Sequence, residues 1–365
     1  MRHLMTATAL PVLAMLGSPV LAQTYSNETG SVTFYGQVSP TYLGYDDGDE
    51  TSNELADNAH SNTRVGFWLE RELASSVLKF NFETAVGLPQ TSAFSQDSSP
   101  DWEWDKTKLR KVDIVWDSLS WGSISFGQGS MASDGVATID KSGTTMVSTV
   151  TTSDTAGSYL FREDGGDLSD IALGDVYSDF DGGRRGRIRY DTPTFGGFKL
   201  AAAYGEEILT SGDDSEYYDI GAFYSNDYGS FEVSAGAGYA WKDSDGDTTE
   251  RYAGSVSVLH GGTGLNGTFA LGGDPDGGDY CYIKAGWITD FTPVGSTAFS
   301  ADYYSGSDFQ NDGSSSDAWG LQVTQNFDAH NIEAYAGFAS YEFDGDGGVD
   351  YQDSSSTLAG LRWRF

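Results

Sequence analysis

Residues 63–86 read TRVGFWLERELASSVLKFNFETAV, and this stretch decides the fold class of the chain. Two runs of alternating apolar and polar residues flank a short turn at 73–76, and such alternation predicts β-strands. Successive side chains of a strand point to opposite faces of a sheet, so each run has one apolar and one polar face. The apolar face carries Val65, Phe67, Leu69, Leu78, Phe80, Phe82 and Val86, and the polar face carries Arg64, Gly66, Glu70, Lys79, Asn81 and Glu83.

The same period of two recurs along the chain and predicts sixteen strands. An even number of antiparallel strands, each with one apolar face, is typical of a closed barrel in a bacterial outer membrane. The predicted fold class is therefore all-β, a 16-stranded antiparallel transmembrane β-barrel. The predicted strands are 32–45, 62–73, 77–88, 108–119, 122–129, 185–192, 198–209, 217–226, 230–241, 249–259, 264–272, 280–290, 296–305, 317–327, 331–343 and 356–365.

Short connections between these strands alternate with long ones that are rich in Asp, Gly and Ser. Short periplasmic turns and long extracellular loops are the expected asymmetry of an outer-membrane barrel. The location that follows is the cell outer membrane, crossed many times by strands. The short connections are 73–76, 120–122, 192–197, 227–229, 260–263, 291–295 and 328–330, and the long ones include 46–61, 89–105, 242–248, 306–316 and 344–355.

The N-terminal residues 1–22 have the pattern of a secretory signal peptide. A basic start at Arg2 precedes an apolar stretch at 4–16, and small residues lead to a cleavage site after Ala22. The apolar stretch is too short for a transmembrane helix, which needs about 20 apolar residues. We therefore expect two parts, a signal peptide at 1–22 and a β-barrel at 23–365.

The composition limits the possible partners of the chain. The formal net charge is −34, so the surface repels the phosphates of nucleic acids. The single cysteine, Cys281, excludes an internal disulfide. Aromatic residues make up 14% of the chain, which is too many for a disordered acidic protein. No cofactor and no metal site are predicted.

Four motifs carry a family resemblance. The segment RIRYDTPTFGGF at 187–198 is the most specific, and FYGQV at 34–38, NTRVGF at 62–67 and WGSISFGQ at 121–128 support it. Together they resemble the general diffusion porins of the Gram-negative outer membrane, of the α- and β-proteobacterial type. The resemblance implies a homotrimer surrounded by outer-membrane lipid and lipopolysaccharide. It also implies a water-filled pore through which small hydrophilic solutes and ions diffuse passively.

The resemblance further implies that the long connection at 130–184 is loop 3, which folds into the barrel and narrows the pore. A connection of this length is usually functional. It holds ten acidic residues against three cations, Lys141, Arg162 and Arg184, which predicts a modest cation preference. We expect the acidic side of the constriction to be formed by Asp134, Asp140, Glu163, Asp164 and Asp167.

The basic side of the constriction is expected on the neighbouring strands. If Ile188 and Tyr190 face lipid, then Arg185, Arg187 and Arg189 face the lumen. The alternation has a physical reason, because a charge on the lipid face costs about 2–4 kcal/mol at the bilayer midplane. By the same alternation Arg64 points inward, and so does Lys111 if Val112, Ile114 and Trp116 point outward; Arg110 replaces Lys111 if that strand slips by one residue.

The C-terminal residues Leu361, Trp363 and Phe365 occupy alternate positions of the last strand. A terminal aromatic residue with apolar residues at alternate positions resembles the signal that the outer-membrane barrel assembly machinery reads. We therefore expect these three residues to form an assembly signal.

Two alternatives compete with the porin interpretation. An outer-membrane enzyme needs a histidine paired with a serine or carboxylate. His3 leaves with the signal, His260 and His330 lie in predicted turns, and His60 has no recognisable partner, so no catalytic residue is predicted. The second alternative is a secreted soluble β-rich adhesin or a calcium-binding surface protein. The acidic runs at 243–247 and 344–347 suggest it, but they lack the glutamate that closes an EF-hand loop.

Overall fold

The computed structural model describes residues 22–365 and closes the predicted strands into an antiparallel barrel. Nineteen strand segments share one sheet, and together they build a wall of sixteen strands, as predicted. The numbers differ for two reasons: the segments β2 and β3 are two halves of one wall strand, and the short segments β1 and β4 pair alongside that strand and are not counted as wall strands. The predicted signal peptide lies outside the described residues except for Ala22. The segments are β1 Gln23–Asn27, β2 Gly30–Val38, β3 Pro40–Asp46, β4 Thr51–Asp57, β5 Arg64–Glu72, β6 Ser76–Ala85, β7 Leu109–Ser118, β8 Gly122–Ser130, β9 Leu160–Arg162, β10 Leu168–Ala172, β11 Arg184–Asp191, β12 Phe198–Glu206, β13 Glu216–Tyr228, β14 Phe231–Ser244, β15 Asp247–His260, β16 Leu265–Gly273, β17 Asp279–Thr292, β18 Gly295–Ser307, β19 Ser315–Phe327, β20 Ile332–Asp344 and β21 Ser354–Arg364.

Helical structure in the described residues is confined to single turns. One four-residue α-helix, α1, spans Leu173–Val176. No helix among residues 22–365 is long and apolar enough to cross a membrane. The 3-10 turns are Thr91–Ala93, Lys106–Lys108, Thr152–Asp154 and Asp328–His330.

The barrel closes between its first and last strands. β21 pairs with β3 over Ser355–Gly360 and continues along β2 to the chain end. There the Gly36 N–H donates to the Phe365 carbonyl at 2.9 Å, and the Phe365 N–H donates to the Gly36 carbonyl at 3.0 Å. Below this point β1 pairs with β2 and extends the line of β21. Closure pairs each of the sixteen wall strands on both sides, and it thereby removes the unpaired wall edge that lipid would not tolerate.

The two faces of the wall follow the predicted alternation. In β6 the side chain of Leu78 is 40% exposed on the outside, whereas Glu83 is 6% exposed on the inside. In β11, Ile188 and Tyr190 are exposed and Arg187 is buried. Inward-facing polar residues and outward-facing apolar ones are the arrangement that a lipid-embedded barrel requires.

The connection predicted as a long loop at 242–248 is a tight hairpin, so that prediction is wrong. β14 extends to Ser244 and β15 begins at Asp247. The two turn residues, Asp245 and Gly246, both have positive φ, 53° and 94°. An Asp-Gly pair with this geometry forms the two-residue turn whose twist matches antiparallel strands.

Residues 131–183 pack against the inward-facing side chains of the wall. Near the start of this segment the Ser133 hydroxyl donates to Asp219 of β13 at 2.6 Å. Farther along, the Tyr177 hydroxyl donates to the carbonyl of Asp317 in β19 at 2.7 Å. Aromatic side chains of the segment and the wall form one buried cluster, because an aqueous lumen would otherwise expose them. It includes Tyr159, Phe161, Tyr177, Tyr280, Tyr282, Tyr304, Tyr341 and Phe343.

Candidate functional site

The segment 131–183 leaves a cavity of about 630 Å³ between itself and the opposite wall. We call this the central cavity. Its charged side chains are divided by origin. The arginines come from barrel strands and the aspartates come from the segment. The basic residues are Arg64, Arg110, Arg184 and Arg362, and the acidic residues are Asp134, Asp140, Asp154, Asp179 and Asp181.

Two glutamates of the wall partly balance the arginines. Glu83 accepts from Arg110 at 2.6 Å and lies 3.9 Å from Arg64. Glu333 pairs with Arg362 at 2.5 Å. Arg184 has no ion pair within the described part of the chain. The basic side therefore keeps net positive charge.

A β-bulge brings Arg110 into the central cavity. The pairing of β6 with β7 shifts between Glu83 and Thr84, which oppose Lys111 and Leu109, and Arg110 is the extra residue. A bulge re-aims a side chain without moving the rest of the strand. Arg110 and Lys111 thus both reach the lumen, Arg110 in the central cavity and Lys111 in a second cavity below it. The sequence offered Lys111 or, with a slip of one residue, Arg110 as the inward-facing cation of this strand, and the structure turns both inward.

On the acidic side, Asp140 differs from the other aspartates. Lys284 of β17 donates to Asp140 at 2.9 Å and to the carbonyl of Ser148 at 2.8 Å. The side chains of Lys284 and Asp140 are 0% and 3% exposed. Asp140 therefore lies at the cavity wall with its charge compensated, and the remaining four aspartates carry the acidic side.

Two of these aspartates have perturbed acidity. Burial, together with the nearby Asp179 carboxylate, raises the pKa of Asp154 to about 7. The same two causes raise the pKa of Asp181 to about 7, although the amides of Gly135 and Ala137 donate to it. Both groups consequently change charge near neutral pH.

The histidine in this cavity is neutral at physiological pH. The His60 Nδ1 lies 3.7 Å from Asp154, and its Nε2 is 3.0 Å from the Thr155 hydroxyl. Burial, with a smaller effect of Lys284, lowers the pKa of His60 to about 3. No group of three or more His, Cys, Asp or Glu side chains in the described residues is placed to hold a metal ion.

Three of the five predicted acidic residues do not reach the central cavity, which corrects the expectation from the sequence. Glu163, Asp164 and Asp167 lie in the turn between β9 and β10. The Asp164 N–H donates to the carbonyl of Asp350 at 2.9 Å, and the Gln352 side chain donates to the carbonyl of Glu163 at 3.2 Å. The β9–β10 hairpin holds this turn against the loop at 345–353, away from the central arginines.

Arg185 also lies outside the central cavity. Its guanidinium sits 4.1 Å from the centre of the Tyr217 ring and 3.7 Å from Glu207. Although it faces inward, as predicted, it lies in a separate cavity between the end of the segment and β13–β15. Arg185 therefore does not line the central cavity as expected, although Asp181 borders both cavities.

Arg187 and Arg189 hold the beginning of the segment. Arg187 donates to Asp113 at 2.7 Å and to the carbonyls of Gly127 and Ser130, both at 3.1 Å. Arg189 makes a two-pronged contact with Asp191 at 2.7 and 2.8 Å. With Lys111 they line the second cavity, of about 510 Å³, toward the periplasmic turns. Arg187 and Arg189 are therefore paired cations, and all three residues lie below the central cavity instead of lining it as expected.

Arg362 is the wall arginine that sequence reasoning missed. It alternates with Leu361 and Trp363, which point outward if they are lipid-facing, so the same rule that identified Arg64 would have identified it. The structure places Leu361 outside, 42% exposed, and packs Trp363 against Phe365 with ring centroids 5.2 Å apart and the ring planes tilted by 45°. The Phe365 ring also covers Gly36, where an added Cβ would lie 2.7 Å from it.

Comparison with known proteins places this architecture among outer-membrane channels. A Gram-negative porin family model matches residues 7–346. The fold is similar to OprB of Pseudomonas putida, with a TM-score of 0.61 and 10% identity over 92% of this chain and 94% of that chain. It is similar to Salmonella typhi OmpF in a complex with daunomycin, with a TM-score of 0.59 and 13% identity over 94% and 100%. It is also similar to the trimer form of Vibrio cholerae OmpT, with a TM-score of 0.56 and 15% identity over 93% and 100%. No curated protein matches the chain in sequence.

Proposed function

The chain belongs to the Gram-negative porin family, and we propose that its central cavity is the charged constriction of the pore. The protein is an outer-membrane channel for passive diffusion of small hydrophilic solutes and ions. One observation carries the proposal, namely that strand arginines face aspartates of the segment 131–183 across the lumen. Such a division of charge creates a transverse field that orients polar solutes.

The charges around the constriction favour cations. Glu83 and Glu333 offset two of the four arginines, and Lys284 offsets one of the five aspartates. Two positive charges then face four negative ones when all carboxyls are ionised. Acidic outer loops add to cation enrichment, but screening limits their field to about 8 Å at physiological ionic strength. We therefore propose a modest cation preference that is strongest at low salt.

This cation preference is expected to increase with pH. Asp154 and Asp181 have pKa values of about 7, so both lose negative charge as the pH falls below that value and regain it above. Between about pH 6 and about pH 8 the potassium-to-chloride permeability ratio should rise by about two-fold, since one or two charges change at a confined site. Reversal potentials in asymmetric potassium chloride, recorded in planar bilayers, measure this ratio.

Substitution of the two aspartates tests whether they, and not other titrating groups of the chain, cause the pH dependence. The double variant Asp154→Asn, Asp181→Asn should show lower cation preference and almost no dependence on pH in this range. Asp164→Asn, Asp167→Asn is the matched control with the same change in net charge, because both residues lie on the same segment but outside the constriction. A pH dependence that survives in the double variant, or a control with the same effect, would contradict the assignment.

The family match and the channel neighbours favour a channel over an enzyme or a secreted soluble adhesin. Removal of residues 1–22 as a signal peptide, insertion by the barrel assembly machinery and contact with lipopolysaccharide are further parts of this proposal. The apolar outward face of the barrel supports it, since Phe126, Ile188 and Leu321 are more than half exposed in the single chain.

The channel is expected to form a homotrimer in which each barrel keeps its own pore. The similar OmpT of Vibrio cholerae has a trimer form, and the apolar outward wall offers a surface for subunit packing. Reconstituted channels should then open and close in groups of three. Native mass spectrometry that finds only monomers in mild detergent would exclude the trimer.

A further inference from the structure

A second cluster of cations lies on the extracellular side of the segment 131–183, apart from the constriction. Arg185, Lys242 and Arg251 border a cavity of about 80 Å³ between the wall and the last residues of the segment. Arg185 directly follows the segment at the start of β11, and Lys242 and Arg251 flank the hairpin between β14 and β15. We call this group the vestibule cluster.

The strand register explains why these three side chains converge. Lys242 of β14 pairs with Tyr217 of β13, and Arg251 of β15 pairs with Ala240 of β14. The Tyr217 ring lies 4.1 Å from the Arg185 guanidinium and 5.8 Å from the Lys242 ammonium. The Phe180 ring lies 5.8 Å from the Arg251 guanidinium. Aromatic faces attract these cations without neutralising them.

The vestibule cluster keeps unused hydrogen-bond donors. Within residues 22–365, Lys242 and Arg251 make no ion pair and no side-chain hydrogen bond, and the buried Nε of Arg185 has no hydrogen-bond partner. Glu207 is the nearest ion-pair partner of Arg185, at 3.7 Å. Lys242 and Arg251 therefore keep their positive charge at this cavity without a carboxylate partner among the described residues.

The two carboxylates that border this cavity, Asp219 and Asp181, already accept hydrogen bonds from backbone N–H groups of the segment. Asp219 accepts from the backbone N–H groups of Ala132 and Ser133 at 3.0 and 2.7 Å. Asp181 accepts from the N–H groups of Gly135 and Ala137 at 2.8 and 2.9 Å. Their oxygens accept from the backbone of the segment and leave the heads of Lys242 and Arg251 available, while Arg185 also has Glu207 at 3.7 Å.

We propose that the vestibule cluster binds a small oxyanion group, a carboxylate or a phosphate, of a solute entering from outside. Charge-assisted hydrogen bonds from Lys and Arg are the usual means of holding such groups. The cavity admits a single anionic group, and the remainder of the solute extends into the water-filled vestibule. The site would raise the local concentration of anionic solutes against the negative field of the outer loops, and it rests on the channel function proposed above.

The test uses the double variant Lys242→Gln, Arg251→Gln in the full-length trimer in planar bilayers. Inorganic phosphate and, separately, acetate are added on the extracellular side in a constant potassium chloride background. Wild-type channels should show a saturable reduction of conductance. In the variant the half-saturating concentration should rise about ten-fold, because two of the three positive charges that attract the anion are removed. Lys106→Gln, Lys108→Gln is the control with the same change in net charge, on a loop outside the cavity.

A response to phosphate or to acetate that weakens in the double variant and not in the control supports the site, and the stronger probe identifies the preferred oxyanion. Absence of any saturable response in the wild type, or equal weakening in the control, overturns it. Normal potassium chloride conductance in the same recordings shows that the channel function stands even then. Because Lys242 and Arg251 make no side-chain hydrogen bond in the described residues, the variant should keep the normal heat-modifiable migration in gels.

Discussion

Deletion of Phe365 is expected to lower the amount of barrel in the outer membrane by about ten-fold or more, a loss larger than its contacts alone explain. Phe365 exchanges two backbone hydrogen bonds with Gly36 and covers Gly36 with its ring. Two hydrogen bonds contribute about 1–3 kcal/mol in total, too little to unfold a closed barrel. A sharp loss would therefore indicate that the terminal aromatic residue is recognised during assembly.

The measurement is the heat-modifiable band of isolated outer membranes, with periplasmic degradation followed in parallel. Phe365→Tyr is the matched control, because it keeps an aromatic terminus and the backbone bonds, and it should assemble normally. Refolding of the truncated chain into detergent should succeed, since closure of the barrel loses only its last residue. If the truncated gene yields undiminished heat-modifiable barrel in cells, the assembly role of Leu361, Trp363 and Phe365 is excluded.

Replacement of Lys284 by Met is expected to destabilise the segment 131–183 by about 3–5 kcal/mol, the usual result of breaking a buried ion pair on one side. Lys284 holds both Asp140 and the carbonyl of Ser148, and its side chain is fully buried. Without it the Asp140 carboxylate loses its cation within the described residues and keeps only the Ser142 N–H at 2.6 Å and the Thr268 hydroxyl at 3.5 Å, so it must hydrate or protonate. The segment should then leave the wall at this point, and single channels should become noisier and wider.

Single-channel recording and thermal unfolding in detergent measure the two consequences. The double variant Lys284→Met, Asp140→Asn removes both charges and should recover most of the lost stability, since no uncompensated charge remains. Asp140→Asn alone leaves Lys284 with the Ser148 carbonyl and should be intermediate. If the double variant is no more stable than Lys284→Met, the buried pair is not what holds the segment.

Features of the wall that depend on local sequence could be predicted, whereas a feature that depends on the pairing of two strands could not. In residues 63–86 the alternation predicted both faces correctly, because strand geometry alone sends neighbouring side chains to opposite sides. The hairpin at Asp245 and Gly246 was also predictable, since Asp-Gly is a strong local turn signal. Arg110 was not, because a bulge depends on how two strands pair and not on either strand alone.

The acidic side of the site depends on contacts between residues far apart in the chain. A charge count over 131–183 does not distinguish Asp154, which lines the central cavity, from Asp164, which lies against the loop at 345–353. The course of the segment is set by partners such as Asp219, Lys284 and Tyr304, which belong to strands that follow it. No local pattern encodes these pairings.

The amino-acid pattern was sufficient to predict the fold class, the sixteen strands and the lipid or lumen face of most side chains, because a bilayer penalises every misplaced charge and a strand has a period of two. The contacts among the lumenal charges depend on the tertiary structure. Arg187 and Arg189 face inward as the alternation requires, yet their neighbours make them paired anchors below the constriction. Arg184, Arg362 and Asp181 line one cavity because closure of the barrel and the path of one long segment bring these parts of the chain to the same place in the lumen.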